Sequence, residues 1–180
     1  MSFHVSEQGE AEHKIILLED KSSGTKAELY AFGALLNGFI LSHKETERNI
    51  IEGYQNTDDA IRNITPSFQG AKLSPFVCRL KEGQYTFGNT KHKIEKYYYY
   101  REALHGLIYD AVFSVLETGI TDDSAFVVLS YDYDMNDAGY PFFYRLQVTY
   151  RLRSGNDLSI STKVTNLSAV SIPMCDGWHP

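Results

Sequence analysis

Between Tyr144 and Arg153 the chain alternates without a break: Tyr144, Leu146, Val148, Tyr150 and Leu152 take turns with Arg145, Gln147, Thr149, Arg151 and Arg153. A period of two places one set on one face of a strand and the other set on the opposite face. A sheet with one dry face and one wet face is what such a pattern serves. Ser154-Gly155-Asn156-Asp157 then supplies turn chemistry. A second alternation follows, with Leu158, Ile160, Thr162 and Val164 set against Ser159, Ser161, Lys163 and Thr165. The two runs predict an antiparallel hairpin with one buried face.

Less regular segments predict further strands over 13–19, 26–34, 38–43, 84–87, 108–118 and 125–131. Gly, Asn, Asp and Ser clusters such as Lys21-Ser22-Ser23-Gly24 separate them. One short helix is predicted over 56–64. Asn56 or Thr57 would cap it, Asp58 and Asp59 suit its first turn, and Ile61 and Ile64 share a face. Neither a fixed-period repeat nor a low-complexity linker divides the chain. Many short strands with hardly any helix predict an all-β antiparallel sandwich, a single domain over residues 1–180. A compact fold of 20.5 kDa could bury about 70% of its extended-chain surface, enough for a core without metal or disulfide staples. The 13 Tyr and 10 Phe suit such strands.

Composition closes off several functions. The net charge of −6 opposes duplex nucleic-acid binding, which needs an excess of Lys and Arg. No apolar run reaches the ~20 residues of a membrane span. Met1 to Lys14 is polar, carries Glu7, Glu10 and Glu12, and lacks the pattern of a secretory signal, so a cytoplasmic location is expected. Cys78 and Cys175 have no metal-ligand spacing and read as two reduced, structural thiols. Asp132-x-Asp134-x-Asn136-Asp137 resembles the start of a calcium loop but lacks its Gly and Glu, and reads as a solvated turn. No nucleophile elbow, zinc-protease motif, P-loop or dinucleotide fingerprint is present. No metal and no cofactor is expected.

A few residues stand out from this framework. His105 lies in Leu104-His105-Gly106, and His179 lies in Asp176-Gly177-Trp178-His179-Pro180 beside the only Trp. Each imidazole has two readings, a hydrogen-bonded structural group or a catalytic one. Arg79 is the one charge in Pro75-Phe76-Val77-Cys78-Arg79-Leu80. It either points inward toward ligand oxygens or faces water from an edge strand. Tyr97-Tyr98-Tyr99-Tyr100 could present at most two rings to one ligand, and sheet packing is the favoured reading.

Taken in order, these segments resemble the aldose 1-epimerase (galactose mutarotase) family. Phe68-Gln69-Gly70-Ala71 and Val77-Cys78-Arg79-Leu80 resemble its Gly-Ala and Asn-Arg-Ile stretches, with Cys78 in place of Asn. Leu104-His105-Gly106 matches its Leu-His-Gly, and Gly139-Tyr140-Pro141 resembles its Gly-Phe-Pro. Asn166 to Pro173 and then His179-Pro180 resemble the approach to its His-x-Tyr-Phe. Asn49 to Tyr54 also fits an earlier family strand. The resemblance implies a large antiparallel sandwich of the galactose mutarotase type and interconversion of the α and β anomers of an aldose such as galactose or glucose. It implies His179 as the general acid, His105 as a second catalytic imidazole, and Arg79 as a substrate-binding group. Trp178 is expected as a wall of the sugar site, from its adjacency to His179. The family's general base is a Glu downstream of the His-x-Tyr-Phe motif. The chain is therefore expected to be the N-terminal part of the family domain, with little activity alone and an open sandwich edge available for self-association. A non-catalytic carbohydrate-binding module and an interaction domain on the same fold are the alternatives.

Overall fold

The computed structural model of the chain describes residues 2–44, 46–96 and 98–179. Tyr97 and Pro180, which belong to two of the motifs above, lie outside the described residues. Strands β1 (Phe3–Gln8), β2 (Ile15–Asp20), β3 (Thr25–Tyr30), β4 (Leu35–His43) and β5 (Thr46–Asn49) form one antiparallel meander. Helix α1 (Thr57–Ser67) follows. Six short strands come next: β6 (Lys72–Leu73), β7 (Arg79–Leu80), β8 (Gln84–Phe87), β9 (Thr90–Lys93), β10 (Tyr98–Tyr99) and β11 (Glu102–Leu104). A second antiparallel meander comprises β12 (Ser114–Ile120), β13 (Ser124–Tyr133), β14 (Tyr144–Arg153) and β15 (Asp157–Asn166). The last strand, β16 (Gly177–Trp178), returns to pair with β6.

The two meanders pack face to face. β1 lies against β12 and β13, and β2 against β13 and β14. Ile16, Leu18, Ala27 and Leu29 supply one inner face, and Val127, Leu129, Leu146, Val148 and Tyr150 the other, all fully buried. Burying a Leu, Ile or Val side chain stabilises by roughly 1.5–3 kcal/mol against leaving it in water, so the alternating positions of β14 contribute strongly to the core. The antiparallel sandwich and the β14–β15 hairpin expected from the sequence are present. In β14 the apolar set is completely buried. In β15 it is not: Ile160 pairs with Tyr150 on the core side yet stays 42% exposed. β15 is an edge strand, and the packed contacts of the first meander fall on β12, β13 and β14.

Two local expectations need correction. The helix starts as expected, with the Asn56 side chain accepting from the Asp59 amide at 2.9 Å, but it runs on to Ser67. It stops where Phe68 turns left-handed (φ +54°) and its amide donates to the Ile64 carbonyl. Phe68 is buried with Ala60 and Ile64 against Leu35, Leu73 and Leu104, so tertiary packing places that end. The apolar run from Ile108 begins a strand only at Ser114. Its first part is a loop that buries Ile108, Tyr109 and Phe113 and hangs on the 31–33 turn: the Gly33 amide donates to the Ala111 carbonyl, and the Phe113 amide to the Ala31 carbonyl.

The calcium-like acidic run divides between solvent and protein partners: Asp134 and Asn136 are exposed, as a solvated turn would have them, but Asp137 is buried. Asp137 accepts from the amides of Lys96 and Gly139, both at 2.8 Å, while Asp132 forms a bidentate pair with Arg145. Cys78 and Cys175 are unbridged, and both are exposed rather than structural core thiols. Among the described residues no helix is long and apolar enough to cross a membrane.

Candidate active site

Strand β6 is the hub. On one side β16 pairs with it, Trp178 opposite Lys72, and the His179 amide extends the ladder by donating to the Ala71 carbonyl at 2.9 Å. On the other side Gly106 bridges Ser74, and the Leu107 amide donates to the Ser74 carbonyl at 2.7 Å. His105 is fixed by its own amide, which donates to the Cys78 carbonyl, and by β11 pairing Leu104 with Arg79. Residues far apart in the chain therefore meet. The rings of His105 and His179 lie 5.1 Å apart, centroid to centroid, nearly perpendicular. Phe68 packs against both, at 4.5 Å and 6.2 Å.

Burial pushes the His105 imidazole below its ordinary value, and the nearby His179 and Arg79 act in the same direction. Its Nδ1 is buried and has no hydrogen-bond partner among the described residues. A histidine held neutral in this way can accept or donate a hydrogen bond at pH 7 without carrying charge. We expect His105 to titrate below the ordinary histidine value of ~6.5, and Arg79→Ala to move it back upward. Proton-detected nitrogen correlation spectra of the imidazoles against pH will check both; a His105 midpoint above ~6.5 would contradict the assignment.

Of its two readings, Arg79 takes the water-facing placement. It stands exposed on the edge strand β7 and, among the described residues, pairs with no carboxylate, yet its charge reaches His105. Trp178 is half-buried, with the Tyr150 ring 6.3 Å away. It lines a cavity of about 390 Å³ together with His179, Tyr150, Gln69, Glu52 and Ile160. That volume falls within the range of small-molecule sites. His105 and Arg79 do not line this cavity. In the tyrosine run, Tyr98 packs with its hydroxyl on the Ile94 carbonyl, whereas Tyr99 and Tyr100 meet edge to face in the open.

Sequence reasoning passed over Phe68 as a packing partner of both imidazoles, and Lys72 altogether. The Lys72 side chain is fully buried and forms an ion pair with Asp176 at 2.5 Å. Burial pushes its ammonium down from the ordinary lysine value, and Asp176 opposes that shift. The available signal was a lysine set in the otherwise small and apolar Gly70-Ala71-Lys72-Leu73.

A family model described as aldose 1-epimerase matches residues 14–180. No curated protein matches the chain. Among solved structures, a galactose 1-epimerase from Lactobacillus acidophilus NCFM is similar with a TM-score of 0.74 at 20% identity, over 91% of this chain and 48% of that one. A galactose mutarotase-like protein from Clostridium acetobutylicum gives 0.77 at 19% identity, over 99% and 53%. An aldose epimerase homologue from C. elegans gives 0.68 at 21% identity, over 80% and 43%. The chain thus spans about half the length of these solved relatives.

Proposed function

The chain belongs to the aldose 1-epimerase family, and we propose from that premise that it binds an aldohexose such as galactose or glucose and carries the imidazole half of an anomer-interconverting site. The observation that carries this reading is the convergence of His105 and His179, 5.1 Å apart, beside a Trp178-walled cavity.

The chemistry requires two proton transfers. A base takes the proton from the anomeric hydroxyl while an acid protonates the ring oxygen, and the C1–O5 bond breaks to leave the open-chain aldehyde. Rotation about C1–C2 and reclosure, with both protons returned, deliver the other anomer. In this reading His179 is the acid, since an imidazole can hold and release a proton near neutrality. His105, kept neutral by its surroundings, hydrogen-bonds the sugar near the ring oxygen. Trp178 packs against the apolar face of the ring, and Arg79, exposed outside the cavity lining, is assigned the hydroxyls of the sugar that project past His105. No residue from 1 to 180 is assigned as the proton-accepting group, and the behaviour proposed for these residues is sugar binding without turnover.

Two measurements test this. Millimolar galactose is expected to change the fluorescence of Trp178, the single tryptophan, and His179→Ala is expected to weaken that response. Polarimetry of fresh α-galactose is expected to show mutarotation no faster than in buffer. Rapid anomerisation that disappears in His179→Ala would show that a base within this chain completes the site. No fluorescence response to galactose or glucose at high millimolar concentration would remove the sugar-binding reading.

A further inference from the structure

Lys72 has no part in the chemistry described above, yet no other lysine or arginine among the described residues is buried. Its ammonium makes three contacts with three consecutive residues. It donates to Asp176 Oδ2 at 2.5 Å and to the Gly177 carbonyl at 3.2 Å, and lies 4.5 Å from the centroid of the Trp178 ring. The next residue is His179. We propose that Lys72 is a positioning residue, a buried clamp on residues 176–178 that sets the His179 imidazole against His105 and stands Trp178 at the edge of the cavity. The inference deepens the sugar-site reading and rests on it for its functional consequence.

The backbone explains why such a clamp is needed. β16 is two residues long and pairs only with the equally short β6. A two-stranded ladder of this length is marginal in water. The segment just before it, 170–176, has no regular secondary structure. Ladder bonds alone would leave the approach to His179 free to shift, whereas a catalytic imidazole must be held to within about 0.5 Å. An ammonium carries three donors and can tie a carboxylate and a carbonyl while facing an aromatic ring. Bulk stability is a poor reason for the arrangement, because a buried ion pair rarely outperforms an apolar side chain of similar size. Positional control is what a methionine of similar length would forfeit.

That contrast gives the experiment, on the full chain. Lys72→Met is expected to lower the urea midpoint only modestly, because the Asp176 carboxylate it leaves behind is 27% exposed and can be hydrated. It is also expected to weaken the nuclear Overhauser contact between the His105 and His179 rings at least threefold and to raise the half-saturating galactose concentration about tenfold. Asp176→Asn removes the same clamp from its outer end. It should reproduce both changes, and Lys72→Met/Asp176→Asn together should be no worse than Lys72→Met alone. If either single variant does not fold, the double variant, which leaves no charge without its partner, decides between the outcomes through the same ring contact and galactose response. An unchanged ring contact and unchanged galactose response in the folded variants overturn the proposal. If the parent itself ignores galactose while Lys72→Met still loses the ring contact, the sugar reading fails and the clamp stands.

Discussion

A Gly106→Ala chain is expected to lose about 2–4 kcal/mol of stability and, with it, the fixed position of His105. Gly106 has φ +87°, where a side chain is strained whatever the space around it. The space is also taken. A Cβ there would lie 2.4 Å from the Ser74 carbonyl oxygen, 2.7 Å from the Ser74 nitrogen and 2.8 Å from its carbonyl carbon. All three are backbone atoms, so no rotamer change relieves the contact. Ser74 follows β6, and its carbonyl accepts from the Leu107 amide. Pushing it aside therefore separates β6, on which β16 and the approach to His179 are paired, from the loop that carries His105. His105 is itself left-handed (φ +62°), which leaves the loop little freedom to adjust. Urea unfolding with imidazole spectra tests the point. A loss below about 0.5 kcal/mol with the two rings still in contact would mean that the junction yields more easily than its geometry implies.

What the sequence could convey follows from how each part is held. The β14–β15 hairpin is legible because its apolar residues repeat at the strand period, and in β14 that face is fully buried against the first meander. β1 is not: of Phe3–Gln8 only Phe3 is buried and Val5 partly so, too few apolar positions to show a period. The end of α1 escaped because the stop is Phe68, buried by contacts from distant strands, with no Gly or Asn to announce it. The early part of 108–118 escaped because an apolar run looks the same whether its backbone bonds go to a ladder or to a turn. In the site, His105, His179 and Arg79 were nominated by the order of family-like motifs, and Arg79 proved exposed. Lys72 was missed for a physical reason. Lysine is ordinarily a surface residue, and only the folded path shows that Asp176 and Gly177 return to meet it.

Raising the pH past ~10 is expected to unfold the chain cooperatively, because its core is built from phenols that cannot ionise in place. Tyr30, Tyr133, Tyr140, Tyr144 and Tyr150 are each at most 2% exposed, and burial pushes all five far above the ordinary tyrosine value. Tyr85 is pushed up to about 12. In the unfolded chain each phenol ionises near pH ~10. Between that pH and the raised values the unfolded state has released protons that the folded state still holds, so stability falls with rising pH. The loss is about 1.4 kcal/mol per pH unit for each phenol. Five acting together would remove roughly 7 kcal/mol over one unit, comparable with the whole stability of a domain. Lys72 works in the opposite direction. Its folded value is depressed, so stability gains as pH rises toward the lysine value of ~10.4. One ammonium cannot offset five phenols. Absorbance at 295 nm and circular dichroism followed together between pH 9 and 12.5 check the sign. Tyrosinate formation by the buried set should coincide with loss of the sheet signal in one step. Gradual ionisation of all thirteen tyrosines near pH ~10, with the sheet intact, would mean that the β14 face is wetter than its packing indicates.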